Sequence, residues 1–119
     1  MEKTRIVIIE DDLGFVEILK SMIAQIPYID LLDTYSNSVN ASIGIAKHDP
    51  DFVILDYEIS GLNGLETIKT LDKTPKVMLI TGNDIDTEEL VGLNVCIYLK
   101  KPLKDFEQFK AAVDYVISK

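Results

Sequence analysis

The segment RIVIIEDD at residues 5–12 joins a run of apolar residues directly to three acidic ones. Its four consecutive β-branched side chains are typical of a strand buried on both faces, and we predict a strand over residues 5–9. After the acidic residues, apolar side chains recur at helical spacing over residues 16–26, with Asp12 available as the helix cap and Pro27 marking the end. The segment therefore predicts a buried strand followed by a helix.

Strand and helix patterns alternate in the same way to the end of the chain. The predicted strands cover residues 5–9, 29–35, 52–55, 77–80 and 95–99. The predicted helices cover residues 16–26, 39–47, 65–71, 87–93 and 106–116, with a turn at Gly61 and Gly64 before the third. Five buried strands separated by five helices require right-handed crossovers, which give a parallel sheet with helices on both faces. We predict one doubly wound α/β domain over residues 1–119.

Composition sets limits on the class of protein. Hydrophobic residues make up 47% of the 119 residues, enough for a single packed core. The net charge of −8 would repel phosphate backbones and anionic lipids, so we expect no direct contact with nucleic acid or a membrane. Short apolar runs and the lack of a signal-peptide pattern predict a cytoplasmic protein. Cys96, the only cysteine, excludes an internal disulfide, and its apolar neighbours predict a buried, inert thiol.

Polar residues with reactive side chains follow four of the predicted strands. They are Glu10, Asp11 and Asp12 after the first strand, Asp56 after the third, Thr81 after the fourth and Lys101 shortly after the fifth. Doubly wound sheets bind ligands beyond the carboxyl ends of their strands, where the strand order reverses. We therefore expect these side chains to converge at one edge of the sheet.

The chemistry of this set indicates phosphoryl transfer. Carboxylates that converge in one crevice repel each other unless a cation is bound between them. Mg²⁺ suits such a site, because it prefers a few carboxylate oxygens and keeps positions for water and phosphoryl oxygens. The Thr81 hydroxyl would donate a hydrogen bond to a transferring phosphoryl group, and the Lys101 ammonium would supply a positive charge.

Each of these residues also has a purely structural interpretation. Asp12 could cap a helix, residues 81–84 could form an ordinary turn, and Lys101 with Pro102 could lead into a helix. Their joint occurrence at successive strand ends, in the one architecture that would bring them together, favours a functional site.

Essentially the whole chain resembles the receiver domains of bacterial response regulators. The residues that carry the resemblance are RIVIIEDD at 5–12, DFVILD at 51–56, GLNGLE at 61–66, TG at 81–82 and YLKKP at 98–102. The resemblance implies a flavodoxin-like sheet with strand order 2-1-3-4-5. It also implies two-component phosphorelay signalling, in which a sensor histidine kinase or a phosphotransfer protein phosphorylates the domain and a downstream effector domain or protein responds.

The same resemblance assigns the phosphoacceptor and the metal ligands. Asp56 would accept the phosphoryl group. Asp11 and Asp56 would bind Mg²⁺ directly, while Glu10 would act through water. The backbone carbonyl of Glu58 would complete the protein ligands.

Resemblance also assigns the switch residues. Lys101 directly precedes proline, as the lysine of the family does, and is therefore preferred to Lys100 as the catalytic lysine. Thr81 would move to the phosphoryl group, and the Tyr98 ring would turn into the space that it leaves. The surface of the fourth helix, fifth strand and fifth helix would change as a result.

Two further side chains, Glu58 and Asn83, would border the attacking water and tune how long the phosphoryl group persists.

Apart from its own phosphorylation and dephosphorylation, we expect no enzymatic activity. A homodimer that forms on phosphorylation is compatible with the resemblance. The sequence suits a stand-alone switch and the N-terminal module of a longer regulator equally well.

The chain departs from the family pattern at two places. Ser60 stands where the family often has proline, which predicts a less rigid loop. The spans 56–81 and 81–101 are shorter than is usual, which predicts abbreviated third and fourth helices.

Two other functions remain open on the sequence. A pseudo-receiver would bind partners without phosphorylation, although the intact acidic pair, Asp56, Thr81 and Lys101 argue against it. A phosphatase with a nucleophilic Asp56 would need a second acid two residues later, where Glu58 is only an approximate stand-in. The chain also lacks the length for a substrate-capping domain.

Overall fold

The computed structural model of the chain describes residues 2–59, 64–69 and 71–119, without the side chain of Leu65. Its strands are β1 Thr4–Ile9, β2 Ile29–Tyr35, β3 Phe52–Asp56, β4 Lys76–Thr81 and β5 Val95–Lys100. Its α-helices are α1 Leu13–Ile23, α2 Ser38–His48, α3 Gly64–Lys69 and α4 Phe106–Ile117. The strands form one parallel sheet in the order β2-β1-β3-β4-β5, which confirms the predicted doubly wound topology.

Two hydrophobic cores lie on opposite faces of the sheet. Alternate residues of the central strands point to each face, as the pleat of a strand requires. One core packs α1 and α4 against side chains that include Ile6, Ile8 and Ile54. The other packs α2 and α3 against side chains that include Val7 and Val53. Because both faces are covered, β1, β3 and β4 consist largely of buried residues, as their continuous apolar runs predict.

The two edge strands are less buried than we predicted. In β2 and β5 most residues are half-buried or exposed. An edge strand has a neighbour on one side only, and the helices cover its faces incompletely. The prediction of a buried thiol at Cys96 was wrong for this reason, because Cys96 lies on β5 and is half-buried.

The predicted fourth helix over residues 87–93 is instead a single 3-10 turn, Thr87–Leu90. The described parts of the chain therefore contain four α-helices and not five. Only residues 82–94 connect β4 to β5, and the turn ends at Val91, whose backbone is extended, before Gly92 adopts a left-handed φ of 82°. The single turn in place of the fourth helix agrees with the abbreviation predicted for it, and the third helix is described over Gly64–Lys69.

The predicted cap at the start of the first helix is confirmed. The Asp12 side chain accepts a hydrogen bond of 3.2 Å from the backbone N–H of Phe15. The helix ends at Ile23, three residues before the predicted boundary. No helix in the described ranges is both long enough and apolar enough to cross a bilayer.

Candidate functional site

The candidate site lies at the carboxyl edge of the sheet, where the predicted residues meet. Glu10 follows β1, Asp56 ends β3, Thr81 ends β4 and Lys101 follows β5. The sheet order makes β1 and β3 neighbours, with Ile9 opposite Leu55 in register. The next residue of each strand therefore brings a carboxylate to the same place.

An acidic cluster forms at this edge. Glu10, Asp11 and Asp56 each offer a carboxylate oxygen, and these oxygens lie within 4.8 Å of one another. Glu10 and Asp56 are 3% and 4% exposed, whereas Asp11 is exposed. The Asp12 side chain caps α1, as its structural interpretation predicts.

Lys101 is the cation beside these carboxylates. Its Nζ lies 2.5 Å from Glu10 Oε1 and 3.8 Å from Asp56 Oδ2. Lys100 instead forms an exposed ion pair of 2.6 Å with Asp84. Successive residues of a strand point to opposite sides, and this alternation separates the two lysines.

Burial dominates the electrostatics of Asp56. Loss of water and the adjacent carboxyl group of Glu10 together raise the pKa of Asp56 to about 8. The Lys101 ammonium and the backbone N–H of Glu58, which donates to Asp56 Oδ1 over 3.3 Å, act in the opposite direction. Burial alone would lower the pKa of Lys101, but the two carboxylates raise it overall, so Lys101 remains charged.

The arrangement fits a hard divalent cation. Oxygens on opposite sides of Mg²⁺ are about 4 Å apart, because each Mg–O distance is about 2 Å. Only one pair of the three oxygens of Glu10, Asp11 and Asp56 could occupy opposite positions, and neighbouring ligands are about 3 Å apart, so their spacing within 4.8 Å suits an ion bound partly through water. A cation there would also offset the burial and the proximity of Glu10 that together raise the pKa of Asp56.

Thr81 belongs to a hydrogen-bonded cluster that the sequence did not predict. Its hydroxyl lies 3.1 Å from Glu58 Oε1 and 3.0 Å from the backbone oxygen of Asn83, and these two acceptors share its one hydrogen. The Asn83 amide also donates to Glu58 Oε1 over 2.8 Å. Although burial opposes it, these bonds from Asn83 and Thr81 lower the pKa of Glu58. Thr81 is thus bonded to a carboxylate at the rim of the site.

Tyr98 is not brought into the site. It lies on β5, and 46% of it is exposed. Its expected inward rotation therefore remains a prediction.

A second aromatic residue makes a contact that we did not predict. Tyr57 directly follows Asp56, and its hydroxyl donates to Glu89 Oε2 of the 3-10 turn over 2.6 Å. No pattern in the sequence indicates this pairing, because it depends on how the short segment after β4 lies over the sheet.

Gly64 packs closely against the backbone of Asp56. A Cβ atom at residue 64 would lie 2.5 Å from the backbone oxygen of Asp56, a distance that only glycine avoids. The Gly64 N–H donates to the backbone oxygen of Tyr57 over 2.7 Å. The rest of the predicted loop, including Ser60 and Gly61, lies outside the described residues.

Comparison with known families agrees with this geometry. The model of the family described as response regulator receiver domain matches residues 6–114. The chain belongs to this family. It is therefore a response regulator receiver domain of two-component systems, as its sequence motifs predict.

Its relatives include longer regulators. The probable C4-dicarboxylate response regulator DctR of Priestia megaterium is 27% identical over 114 residues, which cover 92% of this chain and 50% of the relative. An uncharacterized response regulatory protein of Shewanella oneidensis is 30% identical over 98 residues, with coverages of 81% and 42%. The receiver domain thus spans half or less of the length of both relatives.

Solved receiver structures share the fold. The receiver domain of the putative response regulator NarL from Mycobacterium tuberculosis superposes with a TM-score of 0.85 at 22% identity, and the match covers 100% of both chains. A chain of the CheX-CheY-BeF3-Mg²⁺ complex from Borrelia burgdorferi gives a TM-score of 0.83 at 22% identity, covering 99% of this chain and 92% of that one.

Replacing Asp56 by asparagine should stabilise the metal-free protein in a pH-dependent way. The pKa of Asp56 is raised in the folded state, so ionisation of this group destabilises the fold as the pH rises from about 4 to about 8. We expect Asp56→Asn to increase the free energy of unfolding by about 1–2 kcal/mol at pH 8. The gain should shrink towards pH 4, as measured by chemical denaturation in a chelator.

Asp12→Asn is the matched control, because asparagine retains the helix cap while one nearby carboxylate is lost. It should show no comparable gain at pH 8. Equal stability of Asp56→Asn and the parent across this pH range would contradict the raised pKa.

Proposed function

We propose that this receiver domain is a phosphorylation switch whose Asp56 accepts a phosphoryl group in a Mg²⁺-dependent reaction. The donor is a phosphohistidine on a sensor histidine kinase or phosphotransfer protein, or a small phosphodonor such as acetyl phosphate. The observation that carries the proposal is the burial of Asp56 beside Glu10 with the Lys101 ammonium 3.8 Å away.

The proposed reaction uses the Asp56 carboxylate as nucleophile. One of its oxygens forms a bond to phosphorus while the bond from phosphorus to the donor nitrogen or oxygen breaks, and the donor departs with that electron pair. Mg²⁺, held by Asp11, Asp56 and the backbone carbonyl of Glu58, with Glu10 acting through water, would neutralise charge on the phosphoryl oxygens. The Lys101 ammonium lies close enough to offset the charge on another of them.

Hydrolysis would reset the domain. Water attacks the phosphorus of the acyl phosphate, the bond from phosphorus to the Asp56 oxygen breaks, and inorganic phosphate leaves as the Asp56 carboxylate is regenerated. The side chains of Glu58 and Asn83, bonded to each other over 2.8 Å, border this route and would tune the lifetime of the phosphoryl group. The domain would therefore catalyse only its own phosphorylation and dephosphorylation and turn over no separate substrate.

The proposed switch begins at Thr81. To donate to a phosphoryl oxygen, its hydroxyl must leave Glu58 and the backbone of Asn83. The Tyr98 ring would then turn from solvent into the space that Thr81 leaves. The surface formed by the 3-10 turn, β5 and α4 would change, and a preference of a few kcal/mol for one state is enough to shift the population.

We further propose that residues 1–119 act as one cytoplasmic unit through protein contacts, without direct contact with nucleic acid or membrane. The changed surface would bind a downstream effector domain or protein, or a second copy of the phosphorylated domain. A phosphorylation-independent interaction module is the alternative, but it gives no reason to bury Asp56 and Glu10 against each other.

Intact-mass analysis after incubation with acetyl phosphate and Mg²⁺ tests the phosphoacceptor. We expect one phosphoryl adduct in the parent and none in Asp56→Asn, because the amide is not a nucleophile for this reaction. Omitting Mg²⁺ should abolish the adduct, since the charge on the phosphoryl oxygens would be left unbalanced.

Asp12→Asn again serves as the control, and it should be labelled like the parent because its side chain caps α1. Equal labelling of Asp56→Asn and the parent would show that a residue other than Asp56 accepts the phosphoryl group. Absence of any adduct in the parent, combined with partner binding that survives in Asp56→Asn, would support the interaction module instead.

Replacing Glu58 by glutamine should favour the switched state. A neutral amide oxygen is a weaker acceptor for the Thr81 hydroxyl than a carboxylate, by about 1 kcal/mol. We therefore expect Glu58→Gln to bind beryllofluoride, a phosphoryl mimic, about fivefold more tightly in the presence of Mg²⁺. Titration with tyrosine fluorescence as the signal measures this affinity.

A double-mutant cycle with Thr81→Ala separates the hydroxyl from simple charge repulsion. If Glu58 acts by retaining Thr81, its replacement should have little effect once the hydroxyl is gone. An unchanged benefit of Glu58→Gln in the Thr81→Ala background would assign the effect to charge alone.

A further inference from the structure

We propose that Phe15 is a positioning residue that holds the Lys101 ammonium over Asp56 through a cation-π interaction. The inference rests on the proposed phosphorylation of Asp56. The ring centroid of Phe15 lies 4.5 Å from Lys101 Nζ, within the range of such interactions. No motif in the sequence singles out Phe15.

The start of α1 places the ring at the site. The helix begins directly after the acidic residues that follow β1, so its first turn lies at the carboxyl edge of the sheet. The backbone N–H of Phe15 donates to the Asp12 cap, which anchors this turn. Phe15 is 9% exposed, and its ring packs among the side chains of the core.

Three groups lie close to the Lys101 ammonium: the Phe15 ring and the carboxylates of Glu10 and Asp56. Glu10 lies 2.5 Å from Lys101 Nζ, and Asp56 lies 3.8 Å from it. The closer carboxylate is thus not the proposed nucleophile, and Lys101 must stay mobile enough to reach a phosphoryl group on Asp56. The Phe15 face attracts the ammonium without accepting a directed hydrogen bond.

This attraction limits where a flexible side chain can go. The Lys101 side chain is 23% exposed, so water is available to it on one side. Without the aromatic face, only the two carboxylates would hold the ammonium, and the four-carbon stem could carry it towards Glu10 or solvent and away from Asp56. The ring therefore keeps the charge where the transferred phosphoryl group needs it.

Phe15 also belongs to the hydrophobic core, so its packing must be separated from its electrostatic role. Stepwise fluorination of the ring makes this separation. Fluorine withdraws electron density from the face and weakens cation binding, while the ring changes little in volume. Residue 15 would carry phenylalanine, 4-fluoro-, 3,5-difluoro- or 3,4,5-trifluorophenylalanine in the full chain.

The rate of phosphorylation by acetyl phosphate, followed by intact mass at saturating Mg²⁺, should fall with each added fluorine. We expect a three- to tenfold loss over the series in the maximal rate, with the half-saturating concentration of donor unchanged. Thermal unfolding midpoints should stay constant across the series. A rate that does not depend on fluorination would overturn the proposal.

Phe109 provides the matched control, because it lies fully buried in the same core. The same fluorinated residues at position 109 should leave the phosphorylation rate unchanged. Phe15→Tyr retains an aromatic face and should rescue the rate, whereas Phe15→Leu should lose as much as the trifluorinated protein. Equal phosphorylation rates for the leucine and tyrosine variants would show that Phe15 acts only through packing.

A direct measurement keeps this inference distinct from the proposed function. The ring current of Phe15 should shift the Hε resonances of Lys101 upfield in the unphosphorylated parent, and Phe15→Leu should remove that shift. A parent that shows the shift but gains no phosphoryl adduct from acetyl phosphate and Mg²⁺ would refute the proposed reaction while leaving the contact intact. Normal phosphorylation without the shift would refute only the role of Phe15.

Discussion

The rest of the site depends on two carboxyl groups, Glu10 and Asp56, that the fold buries side by side. Parallel strands β1 and β3 are neighbours in the sheet, so the residues after them meet at the same edge. Burial and the proximity of Glu10 raise the pKa of Asp56 to about 8. A folded protein tolerates such a pair where one carboxyl group keeps its proton or where positive charge lies beside it, and here Lys101 provides that charge. This need for positive charge makes the edge a suitable site for a divalent cation. The positive charge held there would in turn attract an incoming phosphoryl group.

The surrounding residues hold these charges in place without neutralising them. Gly64 lets the chain pass close behind Asp56, and Phe15 lies against the Lys101 ammonium. Thr81 is bonded to Glu58, so the group expected to respond to phosphorylation already has a carboxylate partner in the resting protein. The resting arrangement is therefore a balance of opposed electrostatic contacts, and added charge on Asp56 would disturb all of them.

Most of the fold was predictable, because strand and helix periodicities are local properties of the chain. The continuous β-branched run before Glu10 indicated a strand buried on both faces, and β1 is one. The same reasoning failed for Cys96 and for residues 87–93, where burial and helix length depend on neighbours and connection length. Apolar composition does not distinguish a central strand from an edge strand.

For the site, amino-acid order was sufficient to place the acidic residues, Thr81 and Lys101 at successive strand ends, and the strand order brought them to one edge. The partners of those side chains were decided by packing in three dimensions. Lys101 lies nearer to Glu10 than to Asp56, and Thr81 is bonded to Glu58. The two Lys101 distances of 2.5 and 3.8 Å differ by about 1.3 Å, and charge pairs and hydrogen bonds respond to such differences, whereas sequence periodicity does not.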